Sequence, residues 1–326
     1  MGVPVFFVLS GFLISYTILK SQNKFKAKAY IVRRAAKILP PFLISLVIFS
    51  FLTLLWKEPR NIWFSAAAYL LTLPNFTSGW DGINPVYWSL MVEIHFYIVF
   101  PILYFALKKV SRFPELWCAL IILIVPTILR LMNHMPLDTH KDTWFGNAQV
   151  FPRALDNFTL GIMFAHICIN RERYKAIVQN SSKLAWVGVI VLFISYCLCA
   201  GVNLFLPFHS PYWDPNRLWS FELFRFMPAL GTFFLLFCIF APQSSLINRV
   251  LMLKPLQYTG LISYEWFLFH YPPAQYLSYI FGQAEGSLSV YLSKTLLPFV
   301  VTFIFAAGVY HFVSSPIMSW AKKIKC

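Results

Sequence analysis

Four ionisable side chains stand inside apolar stretches of this sequence. Glu93 and His95 lie in Trp88-Ser89-Leu90-Met91-Val92-Glu93-Ile94-His95-Phe96-Tyr97. Glu265 and His270 lie in Ser263-Tyr264-Glu265-Trp266-Phe267-Leu268-Phe269-His270-Tyr271-Pro272. Charge in such a setting is costly, so each of these residues is a functional candidate. A carboxylate that orients or charges an imidazole suits general-base chemistry. The same pair also suits a hydrogen bond that locks two helices together. His166 and His311 sit near the ends of their apolar runs and read more simply as structural. No His-Glu-x-x-His and no paired Cys ligands occur, so no metal is expected. Cys118, Cys168, Cys197, Cys199 and Cys238 fall in apolar runs, as small buried thiols do.

A basic cluster offers a second kind of chemistry. The stretch from Lys20 to Lys37 holds seven basic residues, and Arg33, Arg34 and Lys37 come just before Pro40-Pro41. Arginine pairs with phosphate through two parallel bonds, so the cluster suits the phosphates of a nucleotide-bearing donor such as an acyl-CoA. The alternative is a topological signal that also meets anionic lipid.

These groups need elements that can carry them through an apolar medium. Of the 326 residues, 59% are hydrophobic and 12% charged, against about 25% charged in a soluble domain. The apolar residues come in runs long enough to cross about 30 Å of hydrocarbon as helices. Nine such runs are read, at roughly 3–19, 38–56, 86–107, 115–132, 151–169, 184–206, 221–241, 256–280 and 291–313. The expected fold is therefore all-α, a polytopic transmembrane bundle forming one domain over 1–326. A shorter apolar stretch at 62–76 ends near Pro74 and reads as a re-entrant or interfacial helix.

Charge sets the orientation. With the first span running from outside to inside, the inner loops 20–37, 108–114, 170–183, 242–255 and 314–326 hold 19 of the 27 Lys and Arg residues. That bias is the positive-inside pattern. A tenth span at 62–76 would place most downstream clusters outside. This orientation puts the C-terminus in the cytoplasm. It also explains the net charge of +15 without nucleic acid, because the cations sit in short loops between spans. The outer stretches 77–88, 133–150 and 207–220 mix Trp80, Trp144, Trp213 and Trp219 with Asp81, Asn84, Asp138, Asp142, Asn147, Asp214 and Asn216. Aromatic faces beside Asp and Asn suit a sugar; an interfacial aromatic belt with polar loops is the alternative.

The motifs, taken in order, resemble a known family. Val5-Phe6-Phe7-Val8-Leu9-Ser10-Gly11-Phe12-Leu13-Ile14 resembles the second-span signature of the membrane acyltransferase-3 family, which includes bacterial O-acetyltransferases of surface polysaccharides. Arg33-Arg34, Lys37-Ile38 and Pro40 resemble its next loop. Trp88-Ser89-Leu90, Val92-Glu93 and Phe96-Tyr97 with Pro101 resemble its central block, and Leu253-Lys254-Pro255-Leu256, Gly260, Ile262-Ser263-Tyr264 and His270-Tyr271-Pro272 its late block.

The resemblance implies about ten spans, a location in a bacterial inner membrane, and transfer of an acetyl or other short acyl group to a hydroxyl. The donor implied is a cytoplasmic acyl-CoA, acting as co-substrate with no bound cofactor. The acceptor implied is an envelope glycan or a lipid-linked sugar. Arg33, Arg34 and Lys37 then bind the donor. Glu93, His95 and His270 are the catalytic candidates, supported by Ser10, Gly11, Trp88, Ser89, Ser263 and Tyr264. The sequence also departs from the family. The family's first-span His has no counterpart, so the chain reads as truncated before its first residue. Ile94-His95 replaces the usual acid and Gln, and Val313-Ser314-Ser315-Pro316 lacks the usual acid before Pro. Two other readings stay open: a transporter or flippase for a lipid-linked or acylated sugar, and an inactive remnant of the family.

Overall fold

A computed structural model describes residues 2–21, 25–56, 62–73, 83–133, 155–205, 218–273 and 288–324. Among them the regular structure is helical, with no strand. The helices are α1 (Gly2–Ser21), α2 (Ala27–Trp56), α3 (Ile62–Leu70), α4 (Tyr87–Leu107), α5 (Pro114–Asn133), α6 (Asp156–Ile169) and α7 (Lys175–Gln179). There follow α8 (Ser181–Phe205), α9 (Leu218–Leu235, extended by a 3-10 turn Leu236–Phe240), α10 (Leu246–Leu251), α11 (Lys254–Phe269), α12 (Leu288–Val309) and α13 (Ser315–Lys323). A π-helical turn, Tyr310–Ser314, joins the last two.

Every expected span has a helical counterpart. Five helical stretches of the described residues are long and apolar enough to cross a membrane: Gly2–Ser21, Ala27–Leu55, Tyr87–Leu107, Ser181–Leu198 and Leu296–Lys323. Three shorter apolar helices cover Pro114–Ile128, Asp156–Ile169 and Phe226–Phe240. Helix α3 has nine residues, roughly 14 Å at 1.5 Å per residue, too short to cross. In the run expected at 256–280, α11 ends at Phe269 with His270 as its cap; residues 271–273 are again helical, and 274–280 lie outside the described residues. Pro272 and Pro273 explain that end, since neither brings an N–H for the preceding turn.

Lipid-facing helices must satisfy every backbone group internally and turn apolar side chains outward. Apolar side chains do face outward among the described residues. Ile102 and Phe193 are each 66% exposed. Hydroxyls within the helices fold back onto their own backbone, as with Thr53 to Phe49, Thr232 to Pro228 and Thr302 to Pro298.

The chain forms two units. The first comprises Met1–Asn23 and Met91–Met252. Here α1 packs along α6, α5 against α6, and α8 along α9. Glycine permits two of these approaches. A Cβ on Gly11 would collide with the Phe158 backbone, and one on Gly161 with the backbone of Val8 and Phe12. Gly188 and Gly231 do the same for α8 and α9. Small residues are how helices come close in lipid, where no hydrophobic drive separates them from solvent. Phe158 then stacks between Phe7, at 4.6 Å, and Phe96, at 4.0 Å.

The second unit comprises Lys24–Leu90 and Leu253–Cys326. In it α11 packs on α12, and α2 meets α3, α11, the π-turn and α13. Its internal bonds are polar. Ser45 and Tyr87 share a hydroxyl pair at 2.8 Å, and Trp266 Nε1 donates to Thr302 at 3.1 Å. Asn84 Nδ2 donates to the Leu268 carbonyl at 2.8 Å. That carbonyl lies four residues before Pro272 and so gets no helical donor from it.

Candidate active site

Ser10 comes from the middle of α1 and Glu93 from the first half of α4. Both are buried, in the first unit. Ser10 Oγ donates to Glu93 Oε1, and Tyr97 Oη donates to the same oxygen from one turn further along α4. The i,i+4 spacing of Glu93 and Tyr97 makes them neighbours on one helix face. Ser10 reaches them because its neighbour Gly11 lets α1 settle against α6. Gly11 therefore supports the cluster by packing. A carboxylate held by two hydroxyls in an apolar interior is fixed in orientation and can exchange a proton with a further hydroxyl.

His95 does not join this cluster. Two residues along a helix turn a side chain by about 200°, so His95 leaves Glu93 on a different face. Its ring is half-buried and meets the Met91 carbonyl one turn back.

The remaining candidates belong to the second unit. Ser89 Oγ donates to the Val86 carbonyl at 2.9 Å, which finishes the turn into α4, and Trp88 is half-buried beside it. Ser263 is exposed and bonds back to Gly260, at 2.8 Å. Tyr264 is buried, and its hydroxyl donates to the Ile38 carbonyl of α2 at 3.1 Å. His270 is exposed at the end of α11, with Nδ1 2.7 Å from the Phe267 carbonyl. A carbonyl only accepts, so Nδ1 carries the hydrogen. Nε2 of the neutral ring is then the nitrogen that can take a proton. Arg33 is exposed, Arg34 lies over the Tyr30 ring at 5.8 Å, and Lys37 is half-buried. On α2, Arg33 and Lys37 are four apart and share a face.

Both sets of residues lie within the stretch matched by the family described as acyltransferase domain, residues 1–310. The chain belongs to the membrane acyltransferase-3 family. Among its acyltransferase relatives, O-acetyltransferase OatA of Staphylococcus aureus (strain NCTC 8325 / PS 47) is 23% identical over 335 residues, which covers 97% of this chain and 52% of that protein. A second, named putative O-acetyltransferase SACOL0978, from Staphylococcus aureus (strain COL), is 21% identical over 337 residues, with the same two shares, 97% and 52%. The chain thus spans about half the length of the curated relatives it matches. No solved structure matches.

The acyltransferase-3 chain also holds a polar cluster around His166, a residue whose place near the end of an apolar run suits a structural role. His166 of α6 is 2% exposed, and its Nδ1 lies 2.6 Å from Glu115 Oε1 of α5. Its Nε2 meets the Tyr174 hydroxyl at 3.1 Å, and the Phe113 ring stands edge-on to it at 5.5 Å. Glu115 and His166 are 51 residues apart, so no local spacing announces them. Both nitrogens are engaged within the fold, as in a bond that fastens helices. Among the described residues no group of three or more His, Cys, Asp or Glu side chains could hold a metal ion. Of the outer-loop aromatics and acids weighed as a sugar platform, Trp80, Asp81, Asp138, Asp142, Trp144, Asn147, Trp213, Asp214 and Asn216 lie outside the described residues.

Proposed function

We propose that this chain is an integral membrane O-acyltransferase that moves an acetyl or similarly short acyl group from a cytoplasmic acyl-CoA to a hydroxyl of an envelope glycan or lipid-linked sugar. One observation carries this reading: a buried carboxylate, Glu93, held by the Ser10 and Tyr97 hydroxyls inside a chain of acyltransferase-3 sequence. The names of the relatives, both O-acetyltransferases, support the choice of acyl group. The basic inner loops support a cytoplasmic donor.

The chemistry asks for three things. A base takes the proton of the acceptor hydroxyl. The hydroxyl oxygen bonds to the thioester carbon as the C–S bond breaks, and the thiolate leaves and picks up a proton. Donors steady the oxyanion formed in between. Glu93 serves as the base, oriented by Ser10 and Tyr97. His270 Nε2 is a second proton-accepting position, and His95 stands on a different face of α4 from Glu93. Arg33, Arg34 and Lys37 hold the donor's phosphates, with guanidinium forks matching phosphate oxygens.

The test is acyl transfer from labelled acetyl-CoA to envelope material in membranes carrying the chain. Glu93→Gln keeps the shape and removes the base, and is expected to lower the rate by about 10²–10⁴-fold. Arg34→Ala is expected to raise the donor KM. Full activity in Glu93→Gln, at matched protein level, would remove the carboxylate from the mechanism. Full activity in both His270→Ala and Arg34→Ala would remove those two assignments as well.

A further inference from the structure

Where α5 begins and α6 ends, two arginines stand that the proposed mechanism does not use. Arg112 precedes α5, and Arg173 lies in the turn between α6 and α7. Both are exposed, and both belong to the first unit. The Arg112 guanidinium lies 5.5 Å from the centroid of the Phe113 ring, and the Arg173 guanidinium 5.4 Å from the centroid of the same ring. We infer that Arg112 and Arg173, gathered on Phe113, bind the phosphate headgroup of an anionic phospholipid, whose acyl chains lie along the exposed apolar row of α5.

The platform under the two cations is held in place. Phe113 stands edge-on to His166, with ring centroids 5.5 Å apart. The His166 ring is engaged at both nitrogens, Nδ1 2.6 Å from Glu115 Oε1 and Nε2 3.1 Å from the Tyr174 hydroxyl. Glu115 lies two residues after Phe113, and Tyr174 adjoins Arg173. One buried imidazole therefore ties the segment that carries Arg112 to the turn that carries Arg173. Backbone bonds shape both segments. The Phe113 N–H donates to Ser111 Oγ at 3.2 Å, and the Arg173 N–H donates to the Asn170 carbonyl at 2.9 Å. An aromatic face attracts a guanidinium through the ring quadrupole. The guanidinium edge can still fork onto phosphate oxygens.

Charge leaves the pair open to an anion. Glu172, the one acid of the turn, sits with Arg171 at 3.7 Å and Lys175 at 3.4 Å. Among the described residues no carboxylate pairs with Arg112 or Arg173. Two like charges drawn to one ring repel each other, and a phosphate between them relieves that repulsion.

The neighbouring surface makes the phosphate a lipid's. The Leu116 N–H donates to the Phe113 carbonyl at 3.2 Å, so α5 winds directly from Phe113. Trp117, Leu120 and Ile124 continue the Phe113 row at helical spacing and are 52%, 42% and 42% exposed. Such a row on a spanning helix faces hydrocarbon, and an indole at its basic end marks the headgroup level. A soluble nucleotide gains nothing from that row. A phospholipid covers it with its chains while its headgroup meets the arginines. With the orientation proposed from the basic loops, the leaflet is the cytoplasmic one.

Retention of labelled phosphatidylglycerol or phosphatidylcholine by the full chain, purified and immobilised in detergent, tests this. Phosphatidylglycerol is expected to be retained in preference. Each arginine at an anionic headgroup contributes about five-fold in binding, so Arg112→Ala/Arg173→Ala is expected to weaken phosphatidylglycerol retention by about 25-fold and leave phosphatidylcholine unchanged. Arg171→Ala/Lys175→Ala removes the same charge from the same turn, but from cations already held by Glu172. It is expected to weaken retention by less than about five-fold. Trp117→Ala is expected to weaken it as well, which a site for a soluble phosphate would not show. Equal losses in the two double variants, equal retention of the two lipids, or full retention in either Arg112→Ala/Arg173→Ala or Trp117→Ala overturns the inference. Inorganic phosphate and acetyl-CoA are expected not to displace the lipid; displacement by either assigns the arginines to a soluble phosphate and overturns the lipid site. Should the alanine pair fail to accumulate, Arg112→Gln/Arg173→Gln replaces it, with the same expected and overturning results.

Discussion

At Glu93 two hydroxyls meet one carboxylate oxygen, and the partners differ in how far the sequence shows them. Tyr97 is one helical turn away, so helix spacing alone pairs it with Glu93. Ser10 is 83 positions away, and only the fold brings it there. Glu115 and His166 make the same point more strongly. His166 lies near the end of an apolar run, and Glu115 looks like an ordinary acid at a helix start. Together they form a buried contact of 2.6 Å between an imidazole nitrogen and a carboxyl oxygen. Removing one partner leaves the other's polar atom buried without a partner from that side. Glu115→Ala should therefore cost about 1–3 kcal/mol, read as a drop in the apparent melting temperature of the purified chain in detergent. Glu115→Gln keeps a hydrogen-bond acceptor for His166 and should fall between the two. Equal melting temperatures for all three forms would show that the pair does not fasten α5 to α6.

The helices obey local rules, and their ends and contacts follow from a few residues. Pro272 and Pro273 stop α11, and Asn84 takes up the Leu268 carbonyl that Pro272 leaves without a helical donor. Glycines set which helices touch. Gly11 and Gly161 sit where any Cβ would strike backbone, while Gly260 and Gly308 have open space around theirs. The two classes should respond oppositely. Gly161→Leu or Gly11→Leu should separate α1 from α6, removing Ser10 from Glu93 and reducing the folded chain recovered from membranes. Gly260→Ala and Gly308→Ala should be tolerated or mildly stabilising, since alanine is favoured over glycine in a helix by about 1 kcal/mol. Fluorescence-detected size exclusion of the tagged variants reads both outcomes. A monodisperse, active Gly161→Leu protein would contradict the close packing.

At the scale of the molecule, the two units are each assembled from separated stretches of chain, Met1–Asn23 with Met91–Met252 and Lys24–Leu90 with Leu253–Cys326. The proposed orientation in the membrane rests on the basic loops. With the proposed orientation, Ser111→Cys and Ser319→Cys in intact cells should resist a membrane-impermeant maleimide and react once the membrane is opened. Labelling of either site in intact cells would reverse the orientation. Composition and run length determined the helical class and the approximate position of each helix, and the ordered motifs carried the family resemblance. These are properties of single segments, and a segment's solubility in lipid depends on its own residues. The motif residues were visible for the same reason. Tertiary structure alone decided which of them meet. It joined Ser10 to Glu93 and Glu115 to His166. Those outcomes depend on contacts between elements far apart in the chain, and no single segment carries that information.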